Sequence, residues 1–273
     1  MMSDGVGMED FENILSWYIL SGVDDICGDE PVNFLQSGKD IKASSEQKSP
    51  VSNEKDYNQS SLRPATTLLA QTNVAACADA REICKKAQTL EDLKAMVESF
   101  EGCALKFSAN STVFGYGNPR AEVMIIGEAP GADEDRRGEP FVGRSGRLLD
   151  KMLQAIAIQR EDCFITNILP WRPPGNRTPT EGEVAVCLPF LHRQIELIKP
   201  RVLLLLGGSA ANAVLGNADS ISNMRGHFMD YETEAGEKFL ALASFHPAFL
   251  LRSPAQKAKA WADLMRLQRK LRE

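Results

Sequence analysis

The residues of this sequence that could do chemistry gather just after short apolar runs. Run 122–126 leads into Gly127, Glu128, Ala129 and the acidic group Asp133, Glu134 and Asp135, and run 163–166 ends at Asn167, ahead of a Pro-rich segment holding Trp171, Arg172, Asn176 and Arg177. Run 202–206 closes on Gly207, Gly208 and Ser209, and run 240–244 leads to His246 and Pro247. A carboxylate can oppose a developing cation or hold a water, and a histidine can donate to a developing anion. An asparagine amide offers both a donor and an acceptor to a ligand. Glycines ahead of a helical serine leave backbone N–H groups for a phosphate. These groups, supplied by four separate segments, describe an active site if the fold brings the segment ends to one edge.

Alternation along the chain predicts such a fold. Between the apolar runs, helical patterns occupy about 144–157, 181–198 and 209–215, with a last one near 254–270. Near-continuous apolar strands separated by helices predict an α/β, three-layer αβα arrangement around a four-stranded parallel sheet, with ligands beyond the carboxyl ends of the strands. Residues 101–273 read as the catalytic domain and 65–100 as a helical lead-in, in which Thr89, Leu90, Glu91 and Asp92 form a capping box. Residues 1–64 read as an N-terminal extension. Phe11, Ile14, Leu15, Tyr18 and Ile19 lie at helical spacing over 8–20, and the polar stretch 28–63 has too few apolar side chains to offset ordering entropy, so a disordered linker is expected. Segment 8–22 either packs back on the domain or takes a protein partner.

Of the 273 residues, 43% are hydrophobic and 25% charged, which is ordinary for a globular chain. No run approaches the roughly 18 apolar residues of a membrane span. No basic stretch followed by an apolar core marks a secretory leader. The six cysteines are too scattered for a disulfide scaffold, so a reduced, cytoplasmic monomer without membrane contact is expected. The net charge of −6 is unevenly divided: residues 1–64 carry 12 Asp and Glu against 5 Lys and Arg, whereas 244–273 carry 7 Lys and Arg against 2 Asp and Glu. A basic C-terminal end suits phosphate contact and suits a solvated helix face equally well.

Taken in order, segment 128–135 (EAPGADED), segment 140–143 (PFVG), Thr166 with Asn167, segment 172–177 (RPPGNR) and His246 with Pro247 resemble family 4 of the uracil-DNA glycosylase superfamily over about residues 100–271. The resemblance implies a monofunctional enzyme of base excision repair that flips uracil out of DNA and hydrolyses its N-glycosidic bond, leaving an abasic site. It implies Phe141 as the stacking aromatic, Asn167 as the reader of uracil O4 and N3–H, and His246 as the donor to charge developing on O2. Ala129 stands where the best-known branch of the superfamily has an aspartate, so Glu134 is expected to place the water or oppose the sugar cation, with Asp135 beside it, while Glu128 and Ala129 shape the pocket. Leu250 is the expected minor-groove wedge. Arg172, Arg177, Ser209, Arg252 and Lys257 are the expected phosphate contacts.

Most family 4 members carry a 4Fe–4S cluster on four cysteines, and here the sequence departs from the pattern. Cys103 and Cys187 match two ligand positions, but Lys106 and Trp171 stand at the other two, so no cofactor is expected. The branch that becomes covalently linked to DNA inserts a histidine before Thr178 and Pro179, and this loop is too short to hold one. A catalytically inactive DNA- or nucleotide-binding relative is an alternative reading, against which Glu134, Phe141, Asn167 and His246 are all retained. A flavodoxin-like nucleotide-binding module is another, but no Gly-x-Gly-x-x-Gly or Walker-type loop follows the first apolar run. Because every motif lies beyond residue 100, deleting residues 1–60 is expected to leave uracil release from a short oligonucleotide largely intact. A fall of more than about tenfold, equivalent to ~1.4 kcal/mol of barrier, would tie the extension to the catalytic unit.

Overall fold

A computed structural model describes residues 65–233 and 236–273, with side chains from residue 74 onward; the helix expected over 8–20, the polar linker and the partner segment 8–22 lie outside the described residues. Helices α1 (Ala65–Lys86), α2 (Leu90–Ser99) and the short α3 (Leu105–Ser108) precede β1 (Tyr116–Gly117) and β2 (Val123–Gly127). Then follow α4 (Ala132–Arg137), α5 (Arg144–Ala155), β3 (Phe164–Asn167), α6 (Glu181–Ile198), β4 (Val202–Leu206) and α7 (Gly208–Leu215). The chain ends with α8 (Ile221–Met224), β5 (Phe228–Glu232), β6 (Lys238–Ser244), α9 (Pro247–Arg252) and α10 (Lys257–Arg272).

The apolar runs form strands because both faces of each are covered. Every residue of β2 and β4 is buried. Met124, Ile126, Leu203, Leu205, Ala241 and Ala243 face one core, which includes Leu93 and Val97 of α2 and Phe190 of α6. Val123, Ile125, Val202, Leu204 and Leu242 face the other, with Leu149 and Leu153 of α5 and Leu264 and Leu267 of α10. Two cores on opposite faces of one sheet make the three layers. The lead-in helices share the first core through Ala80, Cys84, Leu93, Val97 and Phe100, so they belong to the same packed unit as the sheet. The expected capping box of α2 is present: Thr89 Oγ1 accepts from the Asp92 amide at 3.0 Å, and Asp92 Oδ2 accepts from the Thr89 amide at 3.1 Å.

The sheet order is β1-β3-β2-β4-β6-β5. Its central strands β3, β2, β4 and β6 are parallel, as expected. The sheet is mixed and six-stranded rather than four-stranded, because β1 and β5 add antiparallel edges. A two-residue strand has no readable period, and β5 mixes Asp230 and Glu232 into its run, as an edge that must avoid pairing with other chains does. From β2 the chain goes to β3 on one side and, by way of α6, to β4 on the other, which makes a topological switch point at the carboxyl end of β2. There Gly127 pairs with Asn167, and one strand further along Leu206 pairs with Ser244, so the strand ends lie level. No helix among the described residues is long and apolar enough to cross a membrane.

Trp171 is fully buried at the junction of the lead-in helices with α6, its ring stacked on Phe100 at 6.5 Å between centroids. Trp171→Ala is expected to cost about 3–5 kcal/mol in chemical denaturation. A loss under about 1 kcal/mol would mean that the surrounding side chains collapse into the space.

Candidate active site

The crevice at the switch point is a cavity of about 480 Å³. Residues 128–131 after β2, residues 206–208 around the start of α7, and Phe245, His246, Ala248, Phe249 and Arg252 after β6 line it, with Pro173, Asn176 and Arg177 from the Pro-rich loop. Phe141 and Asn167 are buried behind this lining and meet at the end of β2. A Cβ on Gly127 would lie 2.4 Å from Asn167 Oδ1 and 2.7 Å from Phe141 Cζ, so the glycine is what lets amide and ring approach each other. The Phe141 ring lies 5.5 Å from that of His246, tilted by 32°. Glu128, Ala129, Phe141, Asn167, His246, Arg177 and Arg252, read from four distant stretches of sequence, therefore surround one region.

Phe141 has φ 53°, in the left-handed region that a bulky residue avoids. Such a conformation costs on the order of 1–3 kcal/mol and persists only where neighbours over-determine it. Glu134 is one such neighbour. Its Oε1 accepts from the amides of Val142 at 3.0 Å and Gly143 at 2.9 Å, and its Oε2 accepts from the amide of Gly131 at 3.1 Å. This carboxylate, expected to place a water or oppose a sugar cation, holds backbone with three of its roughly four acceptor sites. Asp135 is equally committed, accepting from the amide and the side chain of Asn110 at 2.8 and 2.6 Å and from the Ser111 amide at 3.2 Å. It anchors the segment ahead of β1.

His246 caps α9, with Pro247 at the first helical position. Its Nδ1 accepts from the Ala248 amide at 3.1 Å, so the proton of the neutral imidazole lies on Nε2. Burial, helped by the Arg252 guanidinium, brings the pKa of His246 down to about 4, with Glu134 opposing. The ring is therefore a neutral donor across the physiological range.

The surface around the cavity corrects some of the sequence expectations. Leu250, the expected wedge, is 1% exposed and packs with Phe245 and Ala260, whereas the neighbouring Leu251 is 36% exposed. Successive residues of a helix point about 100° apart, so α9 presents one leucine and buries the other. Arg177 is engaged by Glu183, donating to its two oxygens at 2.9 and 2.6 Å. Arg172 donates to Asn176 Oδ1 at 2.8 Å. Ser209, Arg252 and Lys257 are exposed. The signal missed at Leu250 was Pro247, which marks a helix start after the histidine.

Behind the site, Cys103 and Cys187 are buried with their sulfurs 4.0 Å apart. The Cys187 thiol donates to Cys103 and is cut off from water, which holds its pKa well above the usual thiol value. Trp171, whose Nε1 donates to Thr112 Oγ1 at 3.0 Å, occupies its position as a packed side chain, and Lys106 is half-buried. Among the described residues, no three His, Cys, Asp or Glu side chains are grouped to hold a metal. Two thiols meet here, where a 4Fe–4S cluster takes four. Cys163, pushed up to about 12 by burial, is an inert thiol next to the sheet.

The family model of the uracil DNA glycosylase superfamily matches residues 114–265. The type-4 uracil-DNA glycosylase of Archaeoglobus fulgidus is 40% identical over 185 residues, covering 66% of this chain and 92% of the relative. That of Thermotoga maritima is 38% identical over 173 residues, covering 63% and 88%. A type-5 uracil-DNA glycosylase of Pyrobaculum aerophilum is 34% identical over a shorter span of 115 residues, covering 37% and 50%.

The protonation state of His246 can be checked directly. Its NMR titration is expected near pH 4 rather than near the ordinary 6.5. Because the folded value lies below the unfolded one, the stability this group contributes is complete above pH 6.5 and is lost as the pH falls towards 4. A midpoint near 6.5 would show an imidazole open to water.

Proposed function

The chain belongs to the uracil DNA glycosylase superfamily, and on that ground we propose that it is a monofunctional uracil-DNA glycosylase, which excises uracil and leaves an abasic site for base excision repair. The observation that carries this reading is the meeting of Asn167 and Phe141 at Gly127, with the Phe141 ring 5.5 Å from that of His246, which lines the cavity. The Asn167 side chain donates to O4 and accepts from N3–H of uracil, and it mismatches the N4 amine and unprotonated N3 of cytosine. The Phe141 ring offers the flipped base a stacking surface in place of the neighbours it leaves. Glu128 and Ala129 shape the edge of the pocket.

As the glycosidic bond breaks, its electron pair moves into the uracil ring and charge collects on O2. The Nε2–H of His246 stabilises that charge as a neutral hydrogen-bond donor. Glu134 opposes the positive charge on the sugar electrostatically, and its remaining acceptor site is available to a water that attacks C1′. No lysine amine has a part in this scheme, so no Schiff base forms and the strand stays intact. Arg252, Ser209 and Lys257, with Arg172, contact phosphates, while Arg177 must share its guanidinium with Glu183 to do so. The wedge passes from Leu250 to its exposed neighbour Leu251. We further infer that the enzyme works without a 4Fe–4S cluster, from the presence of two matching thiols and of Trp171 and Lys106 at the other ligand positions.

Incubation with a uracil-containing oligonucleotide is expected to yield free uracil and an alkali-labile abasic site, with no borohydride-trapped protein–DNA adduct. Asn167→Ala and His246→Ala should each lower turnover on the order of 10²-fold or more. Absence of release by the wild-type chain would support an inactive relative of the same fold. Stoichiometric iron and acid-labile sulfide in anaerobically purified protein would overturn the cluster-free reading.

A further inference from the structure

Arg160 stands in the turn between α5 and β3, outside the cavity lining, and the chemistry above gives it no part. Its guanidinium is nonetheless engaged on several sides, with the side chain only 15% exposed. Nη2 donates to the Pro140 carbonyl at 2.6 Å. Nη1 donates to the Phe141 carbonyl at 3.2 Å and to Asp150 Oδ1 on α5 at 2.8 Å. The guanidinium carbon lies 5.5 Å from the centroid of the Tyr116 ring on β1.

On the opposite flank, Glu134 accepts the amides of Val142 and Gly143. The peptide group joining Phe141 to Val142 is thus gripped at both ends, its carbonyl by a cation and its N–H by an anion. Gly146 closes the third side: a Cβ there would lie 1.7 Å from the Phe141 carbonyl oxygen. This peptide group immediately follows the left-handed φ of Phe141, so its orientation determines where the aromatic ring is carried.

We propose that Arg160 is a positioning residue for base recognition: with Asp150 holding it, it fixes the carbonyls of Pro140 and Phe141 and so keeps the Phe141 ring set to receive a flipped base. The rigid guanidinium fork holds two successive carbonyls and an acid in one preorganised plane, which an ammonium on a flexible stem does not fix. Tyr116 covers its face. Ordering the loop in advance spares that cost when the base arrives. The inference rests on the uracil-excision reading, and the test separates the two.

The variants are Arg160→Lys and Asp150→Asn in the full chain, with two readouts. The first is amide hydrogen exchange: Val142 and Gly143 should exchange at least about tenfold faster in Arg160→Lys while β2 and β4 amides keep their protection. The second is single-turnover uracil release, expected to slow ~10–100-fold in Arg160→Lys and less in Asp150→Asn. Affinity for uracil-free duplex and its salt dependence should not change, since no phosphate contact is lost. Wild-type exchange and release in Arg160→Lys would overturn the proposal. So would a uniform loss of protection across the sheet, which marks a scaffold role, or a weakened, less salt-dependent duplex affinity, which marks a phosphate contact. If the wild-type chain releases no uracil but the exchange result holds, the excision reading fails and the positioning of the loop stands. Should Arg160→Lys fail to fold, Asp150→Asn decides on the same readouts, wild-type values again counting against the proposal.

Discussion

A buried carboxylate bonded to three backbone amides organises the loop that carries Phe141 beside the cavity. Glu134 satisfies Gly131 at the start of α4 and Val142 and Gly143 at the end of the following loop, so one side chain ties both ends of segment 131–143 together. Burying a carboxylate is costly unless its oxygens are hydrogen-bonded, and here the bonds that offset the cost also define the loop. The crowding leaves little latitude: a Cβ on Gly143 would lie 3.3 Å from Glu134 Oε1 and 3.1 Å from Asp133 Oδ2. Removing the carboxylate would leave three amides without a partner and release the strained backbone at Phe141. Glu134 therefore has a structural duty that precedes any part in the reaction.

Electrostatics at the mouth and in the depth of the cavity follow from the same side chains. Arg252, exposed at the mouth, disfavours a proton on His246, while Glu134 favours one; burial decides the balance towards the neutral ring. Because Nδ1 is occupied by the Ala248 amide, the one ring proton is directed away from the backbone of α9. The cap of a short helix thus selects the tautomer that carries its proton on Nε2.

Away from the cavity, apolar packing joins the lead-in helices to the sheet. Phe100 lies between Trp171 and Phe190, stacked on the first and edge-on to the second, and Cys103 and Cys187 meet next to them. The Pro-rich loop is bound into this layer through Trp171 and into α6 through the Arg177–Glu183 pair, so the arm that forms one wall of the cavity is anchored at both ends.

The parallel centre of the fold was legible in local pattern. Runs buried on both faces show as unbroken apolar stretches, and the helix start at Thr89 carries its capping partner three residues on. The same pattern placed Glu128, Asn167 and His246 at strand ends, where a parallel sheet collects its ligands. Local pattern failed wherever the deciding partner was distant or the element too short. The edge strand β1 exists only through its pairing with β3, and Leu250 or Leu251 reaches solvent according to how α9 packs on Phe245 and Ala260. Nothing local to Glu134 in its run of acids shows that Val142 and Gly143 fold back onto it, and nothing local to Arg160 shows its hold on the carbonyl of Phe141, 19 residues away in the chain. Spacing along a chain encodes which face a residue occupies, because helices and strands have fixed periods; only tertiary contact decides which donor meets which acceptor.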